Sequence, residues 1–161
     1  MGVDRMMELG LPLTPLSPGT MEKLSPLNPP WLPLGNPLDM WPSVMKHGAR
    51  PVYKTYLQAL LGDENVDAVF CVILTPKIPG QEFFDVSEEI IEAAIRFPTK
   101  PIVVWGYGPD LEEMQEKLDS SGRVVILPSP ERSIQLLYAL SKRHAFLERV
   151  KGGRLNYFDP A

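Results

Sequence analysis

The chain is 161 residues long, the size of one ordinary domain, and its 44% hydrophobic and 22% charged content excludes wholesale disorder. Sixteen Lys and Arg against 20 Asp and Glu leave a net charge of −4, so there is no basic surplus to neutralise nucleic-acid phosphates. One cysteine, Cys71, excludes an internal disulfide and a multi-cysteine zinc site. The longest apolar run, Ala68 to Leu74, falls far short of the ~20 residues of a membrane-spanning helix, and no secretory signal opens the sequence. The expectation is a soluble, cytoplasmic domain that engages neither nucleic acid nor membrane.

Proline is the anomaly: 18 in all, ten of them within the first 51 residues. A run such as Leu27-Asn28-Pro29-Pro30-Trp31-Leu32-Pro33 fits neither a central strand nor a helix interior, because proline lacks the backbone donor. Residues 1–51 therefore read as an extended segment packed on a domain made of 52–150, with 151–161 as a tail. Within the front section, Ser17 is placed to cap a short helix opened by Pro18. His47 falls in a polar loop, and Leu11-Pro12-Leu13 suits at most a short edge strand.

From Val52 the pattern becomes regular. Tyr53, Tyr56, Leu57 and Leu60 recur at helical spacing until Gly62-Asp63. Val66 to Leu74 is apolar on both faces, as a buried parallel strand requires. A helix follows over about 85–97, a second buried strand over 101–105, and a helix carrying Leu111, Met114 and Leu118. A third strand over 123–127 leads to a long final helix from Pro130 to about Val150. Alternation of this kind predicts an α/β, doubly wound, mostly parallel sheet with helices on both faces. Ligands of such sheets bind outside the carboxyl ends of the strands. That edge takes the loops Thr75 to Phe84, Gly106 to Asp110 and Pro128 to Glu131, with Gly35 to Asp39 reaching it from the front section.

Chemistry is sparse in these loops. Gly106-Tyr107-Gly108-Pro109 follows a strand and precedes a helix, as in a phosphate-binding turn, but it lacks the third glycine and the lysine. A tight turn is the plainer reading. Cys71 lies within an apolar strand, where a thiol acts as a small hydrophobe. His144 shares a helical face with Leu137, Leu140 and Leu147 and reads as a partly buried structural residue. No catalytic residue and no metal site emerge from spacing alone.

Asn36-Pro37-Leu38-Asp39, Leu61-Gly62-Asp63-Glu64-Asn65-Val66-Asp67-Ala68-Val69, Lys100 to Trp105 and Ser129-Pro130-Glu131-Arg132-Ser133-Ile134 occur in an order with a wider meaning. The set resembles the second flavodoxin-like domain of the ADP-forming (NDP-forming) acyl-CoA synthetases, similar to the carboxy-terminal domain of the succinyl-CoA synthetase β subunit. The likeness spans about residues 2–145. It implies an acid–thiol ligase that turns acyl-CoA, ADP and phosphate into acid, CoA and ATP through an acyl phosphate and a phosphohistidine. In that family, helix starts of flavodoxin-like domains steady the phosphohistidine, which fits the attraction of a helix N-terminus for anions. The resemblance points to Thr75, Pro76 and the stretch to Ser87 for this role, with Asn36 and Asp39 orienting a loop nearby. Pro130 and Glu131 match a further motif, and Gly106 marks the neighbouring turn.

The same resemblance implies that CoA, ADP or ATP and Mg are held in the full assembly, none by this chain alone. The expected partners are CoA-binding and ATP-grasp domains or subunits, with an oligomer open. The family's histidine segment has no match here, and neither His47 nor His144 has its context. A strand and glycine-rich turn that open the family's domain have no counterpart ahead of Val3, so the first strand of the sheet is missing. Two alternatives stand beside the ligase domain: a non-catalytic docking module of the same fold, and a small-molecule-binding flavodoxin-like protein.

Overall fold

The structure is a computed structural model and describes residues 2–75, 85–109 and 111–152. Helices α1 (Gly2–Glu8), α2 (Pro18–Leu24), α3 (Trp41–His47) and α4 (Ala49–Leu61) precede the strands. Then come β1 (Val69–Leu74), α5 (Ser87–Arg96), β2 (Ile102–Tyr107), α6 (Leu111–Ser120), β3 (Val125–Leu127) and α7 (Pro130–Lys151). The front section is thus more helical than its prolines suggest. Pro18 and Pro42 occupy first helical turns, and Pro51 sits one residue further into α4, where a missing N–H costs nothing. The Ser17 hydroxyl accepts from Thr20 N at 3.2 Å, as its capping position foretold. His47 is the last residue of α3 rather than a loop residue, placed where a basic side chain suits the helix dipole. Residues 11–13 form no strand; Pro12 supplies no donor for a ladder.

β1, β2 and β3 form a parallel sheet in that order, with Val69 opposite Ile102 and Val103 opposite Val125. Val69, Cys71 and Ile73 face α4 and α5, joined by Ile102, Val104 and Ile126 and by Met114 and Leu118 of α6. Full burial of such side chains stabilises the fold by ~1.5–3 kcal/mol each. Tyr56 is completely buried among them and shares a 3.1 Å hydrogen bond with Ser43 of α3. Helices α7 and α1 cover part of the other face. Coverage there is incomplete: Val72 is 44% exposed, whereas its neighbours Cys71 and Ile73 are buried. The expectation that β1 is buried on both faces holds for one face only.

One carboxylate docks the front section. Asp63, buried just beyond α4, accepts from Ser17 N at 2.8 Å through one oxygen and from Asn65 N at 3.0 Å through the other. Its backbone carbonyl accepts from Lys100 Nζ at 2.6 Å, tying in the approach to β2. Burial works against ionisation, but hydrogen bonds from Thr20, Asn65 and Ser17 outweigh it and hold the carboxyl well below the usual range. A depressed folded-state pKa means that the unfolded chain binds the proton more tightly. The stabilisation is therefore present above the ordinary carboxylate pKa of ~4 and is lost on acidification below it. Asp63→Asn, which sets an amide N–H against a backbone N–H, is expected to cost about 2 kcal/mol at pH 7. Urea titrations of both proteins at pH 7, 5 and 3 check this, and the gap between them should narrow as the pH falls.

Candidate functional site

At the carboxyl edge, the ends of β1 and β2 are locked together. Thr75 N donates to Tyr107 O at 2.9 Å, and the Thr75 hydroxyl reaches the same carbonyl at 3.4 Å. Gly108 has φ +130°, and a Cβ there would run into the Thr75 carbonyl. A Cβ on Gly106 would strike the Leu111 side chain, so this glycine serves the packing of α6. The glycine pair therefore makes a close backbone approach between two strand ends. Pro76 lies outside the described residues.

The start of α5 is already furnished with an anion. Asp85 Oδ1 accepts from Ser87 N at 3.0 Å and from the Ser87 hydroxyl at 2.5 Å. Its second oxygen lies 2.6 Å from Lys117 Nζ, which also meets Glu113 at 2.9 Å. Partial burial opposes the charge on Asp85, yet the Lys117 and Ser87 hydrogen bonds hold its carboxyl below the ordinary range. The hydrogen bonds from Asp85 and Glu113 in turn raise the Lys117 ammonium above its usual pKa. At the start of α7, the Ser129 hydroxyl accepts from Arg132 N at 3.2 Å, Pro130 takes the first helical position, and Glu131 is exposed beside it. The Ser133 hydroxyl donates to Ser129 O at 3.0 Å, fastening that turn.

Asn36 and Asp39 lie away from Thr75 and Ser87, on the rim of a slot of about 1280 Å³ that runs beside β1. Asn36 Nδ2 donates to Thr14 O at 3.0 Å, and Asp39 Oδ1 accepts from Trp41 N at 3.0 Å, closing the turn into α3. Pro130, Tyr107 and Trp41 line the same slot. The structure thus gathers the predicted residues into two groups: Thr75 with the Gly106 to Gly108 turn, and Asn36, Asp39 and Pro130 around the slot. Sequence reasoning missed Tyr53, whose hydroxyl donates to Val72 O at 3.3 Å at the edge of β1. Helical spacing had assigned that side chain to the core. It also misjudged His144, which is exposed on the wall of the slot instead of partly buried, because α7 runs on past the end of the sheet.

Burial pushes the Cys71 thiol up to about 12, so it stays protonated and inert at neutral pH. Among the described residues, no group of three or more His, Cys, Asp or Glu is placed to hold a metal ion. The described carboxylates thus do not fit a Mg site, and Lys117 is already engaged by Asp85 and Glu113. No helix among the described residues is long and apolar enough to cross a membrane.

No protein-family model matches the chain. A curated relative, Acetate–CoA ligase [ADP-forming] II of Archaeoglobus fulgidus, is 34% identical over 82 residues, covering 51% of this chain and 12% of the relative. The chain is a relative of the ADP-forming acyl-CoA synthetases. Among solved structures, PH0766 from Pyrococcus horikoshii superposes with a TM-score of 0.74 at 27% identity, over 86% of this chain and 31% of that one. The dinucleotide forming acetyl-coenzyme A synthetase 1 of Ca. Korarchaeum cryptofilum, in complex with phosphate and ADP, gives a TM-score of 0.72 at 21% identity. There the match covers 96% of this chain and 32% of that one, and it speaks for the fold. This relative of the synthetases spans about an eighth of the curated protein and a third of each solved chain. The flavodoxin-like α/β arrangement expected from the sequence is present in its parallel sheet and flanking helices.

The locked edge yields a direct test. Gly108→Ala is expected to lose at least ~2 kcal/mol of stability, since its backbone is in the left-handed region and the added methyl meets a carbonyl. Gly19→Ala, in open space within α2, should be neutral or gain up to ~1 kcal/mol. Urea unfolding of both variants checks the contrast.

Proposed function

We propose that the chain works as one domain of an ADP-forming acyl-CoA synthetase, corresponding to its second flavodoxin-like domain. The reaction is that of an acid–thiol ligase: acyl-CoA, ADP and phosphate give acid, CoA and ATP through an acyl phosphate and a phosphohistidine. The observation that carries this reading is the 34% identity over 82 residues to a protein named as an ADP-forming acetate–CoA ligase. The likeness of fold to a synthetase bound to phosphate and ADP is in keeping with it.

In this reading the histidine, the CoA, the nucleotide and its Mg belong to other domains, CoA-binding and ATP-grasp units in cytoplasmic assembly with this one. When bound there, they supply the phosphoryl transfer itself. This chain's part is to present its carboxyl edge as a rigid, water-excluding wall against the phosphohistidine loop. The Thr75–Gly108 lock fixes the strand ends, and the starts of α5 and α7 add their oriented backbone dipoles. Lys117 compensates Asp85, so the α5 start does not confront an incoming phosphoryl group with a bare carboxylate. Asn36 and Asp39 hold the loop that leads into α3, and we assign them to positioning that loop against the neighbouring domain. A second reading, a docking module without a part in catalysis, draws on the slot beside β1.

Asp39→Asn separates the two, because it removes the charge while keeping an oxygen to accept from Trp41 N. Reconstituted with CoA-binding and ATP-grasp domains, the variant is expected to form ATP from acetyl-CoA, ADP and phosphate at least ~10-fold more slowly, a loss of about 1.4 kcal/mol in transition-state stabilisation. Its stability should stay within ~0.5 kcal/mol of the parent. Unchanged turnover would remove Asp39 from the mechanism. Stable association with no turnover from either protein would favour the docking module.

A further inference from the structure

The edge of β1 that faces away from β2 plays no part in the ligase reading. In a parallel ladder each residue turns its N–H and C=O to the same side, and successive residues alternate sides. Val69 N donates to Pro101 O at 3.0 Å and Thr75 N to Tyr107 O at 2.9 Å, so the odd-numbered residues of β1 serve β2. Phe70, Val72 and Leu74 therefore direct their N–H and C=O groups to the opposite edge. The Tyr53 hydroxyl answers one of them, the Val72 carbonyl. Among the described residues, no strand pairs along this edge.

The edge is sunk in the slot of about 1280 Å³. Gly2 and Met6 of α1 and Leu137 and Leu140 of α7 wall one side, and Tyr53 and Leu57 of α4 the other. Opposite β1, residues 11–14 close it. A six-residue strand, about 20 Å long in a sheet layer ~10 Å thick with strands ~4.8 Å apart, takes on the order of 950 Å³. One strand fits. A second sheet edge bringing its own helices does not pass between α1 and α4.

We infer that the slot seats one further parallel β-strand, apolar on both faces, and that this strand leads directly into α1. The position of α1 selects that source. A Cβ on Gly2 would lie 3.6 Å from Phe70 and 3.8 Å from Ile134, so α1 opens against the middle of β1 and the first turns of α7. A strand beside β1 would leave at the carboxyl edge, pass through a short turn into α1, and return along α7. Residues 11–14 would then lie on its other side, as in the strand–helix–strand connections that parallel sheets use. Both walls are largely apolar, which asks for Val- and Ile-rich sequence. The inference concerns the sheet edge and stands whether or not the ligase reading holds.

Amide hydrogen exchange tests it. The 161-residue chain is compared with one extended ahead of Met1 by Val-Ile-Val-Ile-Val-Gly-Gly and with a Ser-Gly extension of equal length. A second extension, Thr-Val-Thr-Val-Thr-Gly-Gly, provides the same measurement if the first aggregates. The apolar extension is expected to slow exchange at Phe70, Val72 and Leu74 by at least ~10-fold over the Ser-Gly control, while Val69 and Ile73, already bonded to β2, change little. Val72→Pro removes an edge donor and leaves the β1–β2 ladder intact, so it should abolish the slowing at Phe70 and Leu74. Equal exchange in extended and control chains would overturn the inference. So would equal slowing by the same peptide added free in solution, which would name another chain as the donor. Slow exchange in the unextended chain that is lost on deleting 153–161 would name the tail and overturn it as well.

Discussion

The parallel pairing of β1 with β2 is the constraint on which this molecule depends, and it satisfies β1 on one side only. A parallel sheet gains its stability by burying both faces under helices, and here α4, α5 and α6 cover one face while α7 and α1 cover part of the other. The shortfall is local. Val72 is exposed in a strand whose neighbours are buried, and Tyr53 leaves the core periphery to reach its carbonyl. The ladder also fixes the carboxyl edge, because the last β1–β2 bond sets Thr75 against Gly108 and so decides where any loop from another domain can rest.

The front section is held by polar anchors as much as by packing. Asp63 joins the α2 cap to the end of α4, and its neighbour Lys100 ties the same corner to β2. Exposed ion pairs such as Arg50–Glu88 and Lys54–Glu92 bridge α4 and α5, and pairs of this kind contribute under ~1 kcal/mol each. The buried carboxylate is the stronger clasp, since its oxygens accept from backbone donors that would otherwise be unpaired. Through it, the loop carrying Asn36 and Asp39 is brought to the rim of the slot.

Much of this was legible in the residues. The apolar runs announced β1, β2 and β3 in order, and helical spacing placed α5, α6 and α7 to within a few residues. Ser17 before Pro18 announced α2, because capping chemistry is local. Helix α3 was hidden, since Met40 gives no side-chain cap and the prolines around it suggest extended chain. The exposed face of β1 was equally hidden: Phe70 and Val72 are as apolar as core residues, and only the arrangement of α1 and α7 leaves them uncovered. Asn36 and Asp39 were found through a resemblance, and their hydrogen bonds to Thr14 and Trp41 follow from tertiary placement that no local pattern encodes.

The central claim is that this domain acts within a larger ligase, its carboxyl edge serving chemistry carried by other domains. The most direct measurement is fractionation of native cell extract by size, with an antibody against the described residues and an assay for CoA-dependent ATP formation from acetyl-CoA. The account predicts that the antibody signal and the activity elute together, well above the 18.0 kDa of this chain. Antibody signal at the size of the free chain, with the activity in other fractions, would contradict it.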